Sequence, residues 1–355
     1  MSETSSLTAL VTGGAGFIGS HLVDRLLDLG ARVRVLDDFS TGSRANLAHH
    51  AADPNLLVLE GDILNPEAVR EAVCGCSHVF HLACRNVRLS LTHPTIVHEV
   101  NATGTLNLLK AAAGAGVARF LYCSSSEVNG TAEVVPMPEL YHYAPETIYG
   151  ASKLTGEYYT EVFQRSGWLS TVIARPHNNY GPREHYAGNC GEVIPRFILQ
   201  ALCGEPLTLY GDGAQTRDFT YVTETVDYLT RLALHETACG AYNVCRGEEV
   251  SIKAIADTIL ALTGSSSVIR RLEGRPSDVL RLFGDPARLK ELLGCSPAIS
   301  IATGLQRTVD WFRAHVEPTP ELMASLTAKS WVGGPREPWL EELSARQGTA
   351  KTEQS

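Results

Sequence analysis

The sequence contains no apolar run that approaches the length needed to cross a bilayer. Residues 1–8 are polar and include no basic segment, so we expect neither a signal peptide nor membrane association. Lysine and arginine together number 30, against 39 aspartates and glutamates, which gives a formal net charge of -9. Binding to nucleic acid or to an anionic membrane requires a basic face, so the charge argues against both classes of partner.

A disulfide framework and a metal-binding motif are also missing. The nine cysteines are scattered, and only Cys74 and Cys76 lie close together along the chain. No group of cysteines and histidines has the spacing of a zinc site. We therefore expect reduced thiols, no bound metal and a cytoplasmic location.

Strand-like runs alternate with helix-like runs over the first half of the chain. The strand-like runs are Leu7–Val11, Arg32–Leu36, Leu56–Leu59, His78–Leu82, Arg119–Cys123 and Leu169–Ala174. The helix-like runs are Ser20–Leu29, Pro66–Val73, Val97–Ala113 and Tyr149–Gln164. This alternation predicts βαβ units and an α/β fold with a Rossmann-type, doubly wound parallel sheet.

The pattern changes beyond Pro176 and suggests two further regions. We assign residues 1–175 to the Rossmann domain, with a returning segment near 215–245. In residues 176–316, loops rich in Gly, Asn and Pro alternate with short helices, which predicts a smaller α/β substrate lobe. Residues 317–355 are polar and contain several prolines, so we expect a C-terminal tail whose last stretch is loosely packed or disordered.

A glycine-rich turn follows the first strand and opens the first helix. Gly13, Gly16 and Gly19 lack a Cβ, which permits a tight turn and a close approach of a pyrophosphate to the helix N-terminus. The second strand ends at Asp37 and Asp38, and Asp37 lies 18 residues after Gly19. A carboxylate there accepts hydrogen bonds from a ribose 2′-hydroxyl and repels a 2′-phosphate, so the pattern predicts NAD rather than NADP.

Three further residues near this turn leave the prediction partly open. Arg34 and Arg44 lie close to Asp37 along the sequence and would soften the preference for NAD. Asp62 follows the third strand, where it would either contact the adenine amine or cap its own loop.

Catalytic side chains are predicted at the end of the fifth strand and on the helix after it. Ser124–Glu127 follow that strand, and ligands bind at the carboxyl edge of a parallel sheet. Tyr149 and Lys153 are four residues apart and share one face of a helix. The lysine ammonium is expected to lower the pKa of the phenol, so that Tyr149 acts as a general base towards a sugar hydroxyl.

The ordered set of these motifs resembles the extended short-chain dehydrogenase/reductases, in particular the nucleotide-sugar epimerase/dehydratase family. The resemblance extends from about Thr8 to Ala314. The matching segments are Thr12–Gly19, Leu36–Gly42, Gly61–Asp62, His81–Ala83, Val100–Leu109, Ser124–Gly130, Tyr149–Glu157, Arg175–Arg183 and Gly211–Val222.

The resemblance implies a role for each matching residue. It makes Tyr149 the base, assigns Lys153 to the nicotinamide ribose, and places Ser125 at the sugar 4-hydroxyl. The cofactor-binding residues that it implies, with Asn101 supporting the active-site helix, are Gly13, Gly16, Phe17, Ile18, Gly19, Asp37, Asp38, Ser40, Thr41, Gly42, Asp62, Ile63, Leu82, Ala83, Asn101, Tyr149 and Lys153. The substrate-binding residues that it implies are Arg88, Ser125, Asn178, Arg183, Val193, Arg217 and Arg281. A homodimer formed through the helices Val97–Ala113 and Tyr149–Gln164 is also expected by resemblance.

The sequence departs from the family pattern in two segments. Asn129 stands where the family usually has tyrosine, so the pocket wall is expected to differ. Cys84 and Arg85 replace a common Ala-Gln pair. Arg85 and Arg88 would either add positive charge for a substrate carboxylate or act as ordinary loop or phosphate-side residues, and we favour the second interpretation.

The resemblance implies a common first step and three possible outcomes. Tyr149 deprotonates the C4 hydroxyl while hydride passes to NAD, which yields a 4-keto sugar. A 4-epimerase returns the hydride to the other face, whereas a 4,6-dehydratase or a UDP-glucuronate decarboxylase would use Glu127, whose position matches the glutamate of both. Ser126 replaces the aspartic acid of the dTDP-glucose dehydratases, which weighs against dehydration.

The choice between epimerase and decarboxylase stays open at this point. The stretch Gly181–His185 resembles both epimerases and decarboxylases of UDP-glucuronate. We favour a 4-epimerase of a nucleotide sugar, with UDP-sugars as the preferred substrates and NAD recycled within each turnover. A non-enzymatic NAD-binding regulator and an oxidoreductase that releases its reduced cofactor are less favoured, because Tyr149, Lys153 and Ser125 are all present and Asp37 opposes NADPH.

Overall fold

A seven-stranded sheet forms the centre of the computed structural model, which describes residues 7–188, 191–273, 280–327 and 336–343. Its strands are β1 Thr8–Thr12, β2 Arg32–Asp37, β3 Leu56–Glu60, β4 His78–His81, β5 Arg119–Cys123, β6 Thr171–Pro176 and β7 Ala241–Val244. The helices are α1 Phe17–Asp28, α2 Pro66–Val73, α3 Pro94–His98, α4 Thr105–Gly114, α5 Ile148–Arg165, α6 Val193–Leu202, α7 Val222–Leu234, α8 Ile252–Thr263, α9 Ala287–Leu293, α10 Ile301–His315 and α11 Pro320–Thr327.

The strand order confirms the predicted fold class. All seven strands are parallel, in the order β7-β6-β5-β4-β1-β2-β3. The chain winds outward from β1 in one direction to β3 and then in the other direction from β4, so the winding reverses between β1 and β4. Ligands of doubly wound sheets bind at the carboxyl edge beside this reversal, which is where the glycine turn and Ser124–Glu127 lie.

Helices cover both faces of the sheet. On one face, α1 packs against β1 and α7 packs against β5 and β6, and a cluster that includes Leu22, Leu26, Val226 and Leu229 joins the two helices. On the other face, α2, α4 and α5 bury Val69, Leu108 and Phe163 among their neighbours. Strands that are covered on both sides become largely apolar, as the fully buried β5 shows after its first residue, Arg119.

The segment predicted as one helix, Val97–Ala113, is divided in the structure. A π-helical stretch, Glu99–Gly104, separates α3 from α4. An added Cβ at Gly104 would lie 2.5 Å from Cδ1 of Ile63, so the glycine allows this stretch to approach the loop after β3. π-Helical turns often carry functional side chains, and this one carries Asn101.

A smaller α/β region follows β6 and has a hydrophobic cluster of its own. Its short strands are Asn178–Tyr180, Leu207–Tyr210, Thr216–Arg217, Phe219–Tyr221, Val250–Ser251, Ile269–Leu272 and Arg281–Leu282. The chain returns to the central sheet at β7, which pairs with β6. Within the predicted tail, α11 packs on α6 and buries Leu326, whereas residues 344–355 lie outside the described residues.

None of the helices in the described ranges is both long and apolar enough to cross a membrane.

Candidate active site

A cavity of about 510 Å³ extends from the glycine turn along the carboxyl edge of the sheet into the smaller region. The predicted cofactor and catalytic residues that line it are Gly13, Gly16, Phe17, Ile18, Gly19, Asp37, Asp38, Ser40, Thr41, Asp62, Ile63, Leu82, Ala83, Ser125, Ser126, Glu127, Tyr149 and Lys153. Four predicted substrate residues line it as well: Arg88, Asn178, Val193 and Arg217. One continuous space therefore joins the proposed dinucleotide and sugar sites.

Four predicted residues lie outside the lining. Gly42 packs behind the glycine turn, where an added Cβ would lie 2.9 Å from the carbonyl carbon of Ala15. Asn101 is buried behind the residues that line the cavity. The guanidinium of Arg183 pairs with Asp24 instead of facing the cavity.

Arg281 lies on the wrong side of its strand for the diphosphate contact that the resemblance implies. In the parallel pairing of Thr216–Arg217 with Arg281–Leu282, Arg281 lies opposite Thr216 and Leu282 lies opposite Arg217. Successive side chains of a strand point to opposite faces, and Arg217 and Leu282 are the pair that lines the cavity. Arg281 instead donates from Nε and Nη2 to Glu249, at 2.9 and 2.6 Å.

The glycine turn fits a pyrophosphate because its glycines hold the backbone close. Gly13 has a φ of 70°, and an added Cβ there would lie 2.8 Å from the backbone nitrogen of Ala83. An added Cβ at Gly19 would lie 2.1 Å from the carbonyl oxygen of Gly13. Since Gly16, the N-cap of α1, has no side chain to bind the first-turn amides, those donors and the helix dipole remain available to an anion.

Asp37 is bound into the same turn. Its buried carboxylate accepts hydrogen bonds from the backbone N–H of Ala15 and Phe39, each at 2.9 Å. Burial raises the pKa of Asp37, and the two amide hydrogen bonds oppose that rise. Asp38 pairs with Arg85 at 2.8 Å, so an arginine absent from the expected family pattern lies next to the predicted ribose site.

The two arginines that we expected to soften the preference for NAD are engaged elsewhere. Arg34 donates to the carbonyl oxygens of Glu71, Ala72 and Cys74 at the end of α2. Arg44 forms an ion pair with Glu60. Neither lines the cavity, so neither guanidinium is placed to receive a 2′-phosphate.

Replacing Asp37 with alanine is expected to lower the free energy of unfolding by about 1–3 kcal/mol, because two amides of the turn lose their acceptor. The affinity for NAD should fall as well. Chemical denaturation and isothermal titration with NAD would measure both effects. Asp212→Ala is the matched control, because it removes a similar local hydrogen bond, to Ala214, at an exposed site. Unchanged stability and affinity in Asp37→Ala would show that the carboxylate neither stabilises the turn nor contributes to NAD binding.

Tyr149 lies in the first turn of α5, which Thr147 caps by accepting a hydrogen bond from the N–H of Gly150 at 3.0 Å. Burial raises the pKa of Tyr149 well above its usual value, and a hydrogen bond with Ser125 partly opposes the rise. Lys153 donates from Nζ to the carbonyl oxygen of Cys123 at 2.8 Å. Desolvation of the phenol is the largest effect on Tyr149 in this structure, and a lowering of its pKa by Lys153 stays a prediction.

Glu127 lies one turn beyond β5 and lines the same cavity. It belongs to a 3₁₀ turn, Ser126–Val128, in which the Ser125 hydroxyl oxygen accepts a hydrogen bond from the N–H of Glu127 at 3.2 Å. Burial raises the pKa of Glu127, the charge of Arg217 opposes this rise, and the charges of Glu146 and Glu192 add to it. The side chain therefore stays protonated to a higher pH than an exposed glutamate.

Asn101 joins three segments behind the cavity wall. Its side-chain oxygen accepts a hydrogen bond from the N–H of Arg85 at 2.8 Å, and its Nδ2 donates to Oγ of Ser152 at 3.0 Å. Ser152 in turn donates to the carbonyl oxygen of Tyr149 at 2.8 Å. Asn101 is thus connected through Ser152 to the backbone of Tyr149, and its supporting role stays a prediction.

The structure adds a pair of cavity residues that the sequence did not indicate together. Arg88 and Glu192 form a bidentate ion pair, with N···O distances of 2.8 and 2.9 Å, although 104 residues separate them. The charge of Arg88 holds the pKa of Glu192 below its usual range, although burial alone would raise that pKa. No motif or short spacing in the sequence predicts such a pair.

Asn129, the residue that replaces the family's usual tyrosine, is buried outside the cavity lining. It donates to the carbonyl oxygen of His142 at 3.3 Å.

Comparison with known proteins identifies this arrangement. Residues 9–245 match the model of the NAD dependent epimerase/dehydratase family. The UDP-glucuronic acid decarboxylase 1 of Xenopus tropicalis is 35% identical over 323 residues, which cover 89% of this chain and 75% of the relative.

Solved structures agree in fold over most of the chain. A UDP-glucose 4-epimerase from Thermotoga maritima, in a structure with UDP-glucose, has a TM-score of 0.83 and 32% identity, covering 88% of this chain and 100% of its own. A dTDP-glucose 4,6-dehydratase from Streptomyces venezuelae with NAD bound has a TM-score of 0.82 and 33% identity, covering 87% and 98%. The chain therefore belongs to the NAD dependent epimerase/dehydratase family, and its cofactor is NAD.

Proposed function

We propose that the protein is a decarboxylase of a nucleotide-linked glucuronic acid, with UDP-glucuronate as the preferred substrate. The observation that carries the proposal is Glu127, a carboxyl group with a raised pKa in the wall of the cavity that Tyr149 and Ser125 also line. Several relatives are UDP-glucuronic acid decarboxylases, at 33–36% identity. This proposal replaces the preference for a 4-epimerase that the sequence alone favoured.

The first step requires a proton acceptor at the sugar C4 hydroxyl. NAD held by the glycine turn and Asp37 would supply the hydride acceptor for C4 and the hydride for the later reduction. Ser125 is hydrogen-bonded to Tyr149 and is placed to pass the hydroxyl proton to the phenolate. Because burial opposes ionisation of Tyr149, the positive nicotinamide ring and the Lys153 ammonium must together favour the phenolate when the complex forms.

The second step follows from the chemistry of the product. Oxidation at C4 places a ketone β to the C6 carboxylate, so the C5–C6 bond breaks, CO₂ leaves, and its electron pair forms an enolate over C5, C4 and O4. Ser125 and the protonated Tyr149 stabilise the negative charge on O4. Glu127 then donates its proton to C5, which restores the 4-ketone before it is reduced. A carboxyl group with a raised pKa is suited to this role as a general acid.

The other two candidate reactions require different catalytic groups at the carboxyl edge of the sheet. A dehydratase needs an acid to expel the C6 hydroxyl, and Ser126 is a poor acid in that position. A 4-epimerase needs no group to protonate C5, and the similarity to the Thermotoga maritima 4-epimerase keeps this reaction as the second candidate. Incubation with UDP-glucuronate, UDP-glucose and dTDP-glucose followed by mass spectrometry separates the three. Loss of CO₂ supports the proposal, whereas an unchanged mass with altered stereochemistry, or loss of water, contradicts it.

We assign Arg88 to the substrate carboxylate, against the interpretation favoured from the sequence, because it lines the cavity and already binds a carboxylate there, that of Glu192. Replacing Arg88 with alanine should raise KM for UDP-glucuronate by roughly 10- to 100-fold, because a hydrogen bond between charged groups usually contributes that much to affinity. Binding of UDP-glucose, which has no carboxylate, should change much less. Steady-state kinetics and competition by UDP-glucose measure the two effects.

Glu192→Gln is the matched control, because it releases Arg88 from its present partner without removing the guanidinium. We expect an unchanged or lower KM for UDP-glucuronate in this variant. An equal loss of affinity for the charged and the neutral sugar in Arg88→Ala would show that Arg88 only shapes the loop.

A further inference from the structure

Two histidines and an aspartate converge on one point outside the active-site cavity. Asp24 lies on α1, and His49 and His50 lie at the end of the 3₁₀ helix Arg44–His50. The Nε2 atoms of His49 and His50 lie 2.9 and 3.0 Å from the same oxygen, Oδ1 of Asp24. The three possible ligand atoms all lie within 4.8 Å of one another.

This geometry is close to that of a transition-metal site with two imidazoles and one carboxylate. Zinc bonds of about 2.0–2.2 Å place tetrahedral ligand atoms roughly 3.3–3.6 Å apart. The nitrogen atoms therefore need to move away from Oδ1 by only about half an ångström to admit an ion. His49 is half exposed, so water can complete the coordination from the solvent side.

The second carboxylate oxygen is already held in place. Arg183 pairs with Oδ2 of Asp24 and also donates to the carbonyl oxygen of Asn46 at 3.0 Å. Outer groups of this kind orient a ligand and leave its other oxygen directed at the metal. The positive charge of Arg183 also weakens the attraction of Asp24 for a cation, so we expect moderate affinity.

We propose that Asp24, His49 and His50 bind a single divalent transition-metal ion of the Zn²⁺ or Co²⁺ class. The ion links α1, which begins at the glycine turn, to the 3₁₀ helix that follows the loop of Asp37–Gly42. Its effect is to fasten together the two segments that border the dinucleotide. The site is independent of the proposed decarboxylation, so its test does not depend on that function.

The competing explanation is a set of ordinary hydrogen bonds. If both rings carry a proton on Nε2, each donates to Oδ1 and no ion is required. A metal must displace those protons, whereas a hydrogen-bonded cluster has no affinity for one. Direct metal binding therefore separates the two explanations.

The test is titration of the full-length, NAD-loaded protein with Co²⁺, followed by calorimetry and visible absorption. We expect one ion per chain and a spectrum without thiolate charge-transfer bands. His49→Gln and His50→Gln keep a hydrogen-bond donor for Asp24 but remove a ligand, and each should weaken binding at least about tenfold. His98→Gln, at an exposed histidine on α3, is the matched control and should leave binding unchanged.

Thermal unfolding gives a second, independent measurement. Zn²⁺ should raise Tm of the unmodified protein and of His98→Gln, because an ion that binds only the folded state stabilises it. It should not raise Tm of His50→Gln. The proposal is overturned by a lack of saturable binding, by binding that survives both glutamine variants, or by a spectrum that shows thiolate ligands.

Discussion

Replacing Tyr149 with phenylalanine should lower kcat by about 10²–10⁴-fold, the usual contribution of a general acid or base. The variant loses only the phenolic oxygen, so the ring still fills its place at the start of α5. Ser125 then has no acceptor for the proton of the substrate hydroxyl. Rates of product formation at saturating UDP-glucuronate measure the effect, and titration with NAD shows whether the cofactor still binds.

Tyr158→Phe provides the control on the same helix, since Tyr158 is 48% exposed. This variant should keep the activity of the unmodified enzyme. If Tyr149→Phe retained most of its activity, Tyr149 would not be the proton acceptor and the mechanism would fail at its first step. Loss of NAD affinity together with activity would instead indicate a damaged site.

The parts of the fold that depend on local pattern are predictable from the sequence. Residues of β5 and α2 are predicted with the bounds that the structure gives, because apolar periodicity and a proline at the first helical position mark them directly. The glycine turn is equally visible, since φ values and close contacts permit no other residue at Gly13 and Gly19.

The parts that depend on register or distant packing are not predictable in this way. Arg281 lies in a strand of two residues, and its pairing with Thr216 decides which face it occupies. Arg88 and Glu192 meet only because the loop after β4 folds against the N-terminus of α6. The pKa of Tyr149 depends on how much of the phenol is desolvated, which the four-residue spacing to Lys153 does not reveal.

The same limit applies to the cluster of Asp24, His49 and His50. Zinc motifs are usually recognised by short spacings between ligands, whereas Asp24 and His49 are 25 residues apart and belong to different elements. The two neighbouring histidines carry little information by themselves. Only the packing of the 3₁₀ helix against α1 brings the carboxylate to them.

Replacing Glu127 with glutamine is expected to lower the formation of decarboxylated product by about 10²–10⁴-fold, because the amide cannot donate a proton to C5. Oxidation at C4 does not require Glu127, so a 4-keto sugar should accumulate and be detectable by mass spectrometry. The pH profile supplies a second readout. Glu127 acts in its protonated form, so product formation should fall as pH rises through its raised pKa, and this decline should disappear in Glu127→Gln.

Glu146→Gln is the matched control for this experiment. Glu146 contributes to the electrostatic environment of Glu127, but it is exposed, and one of its oxygens accepts a hydrogen bond from the N–H of Thr131 that glutamine can keep. Product formation in this variant should stay near that of the unmodified enzyme. Epimerised sugar formed at an undiminished rate by Glu127→Gln would show that the carboxyl group has no part in the reaction. The 4-epimerase would then be the better assignment, because inversion at C4 requires no proton at C5.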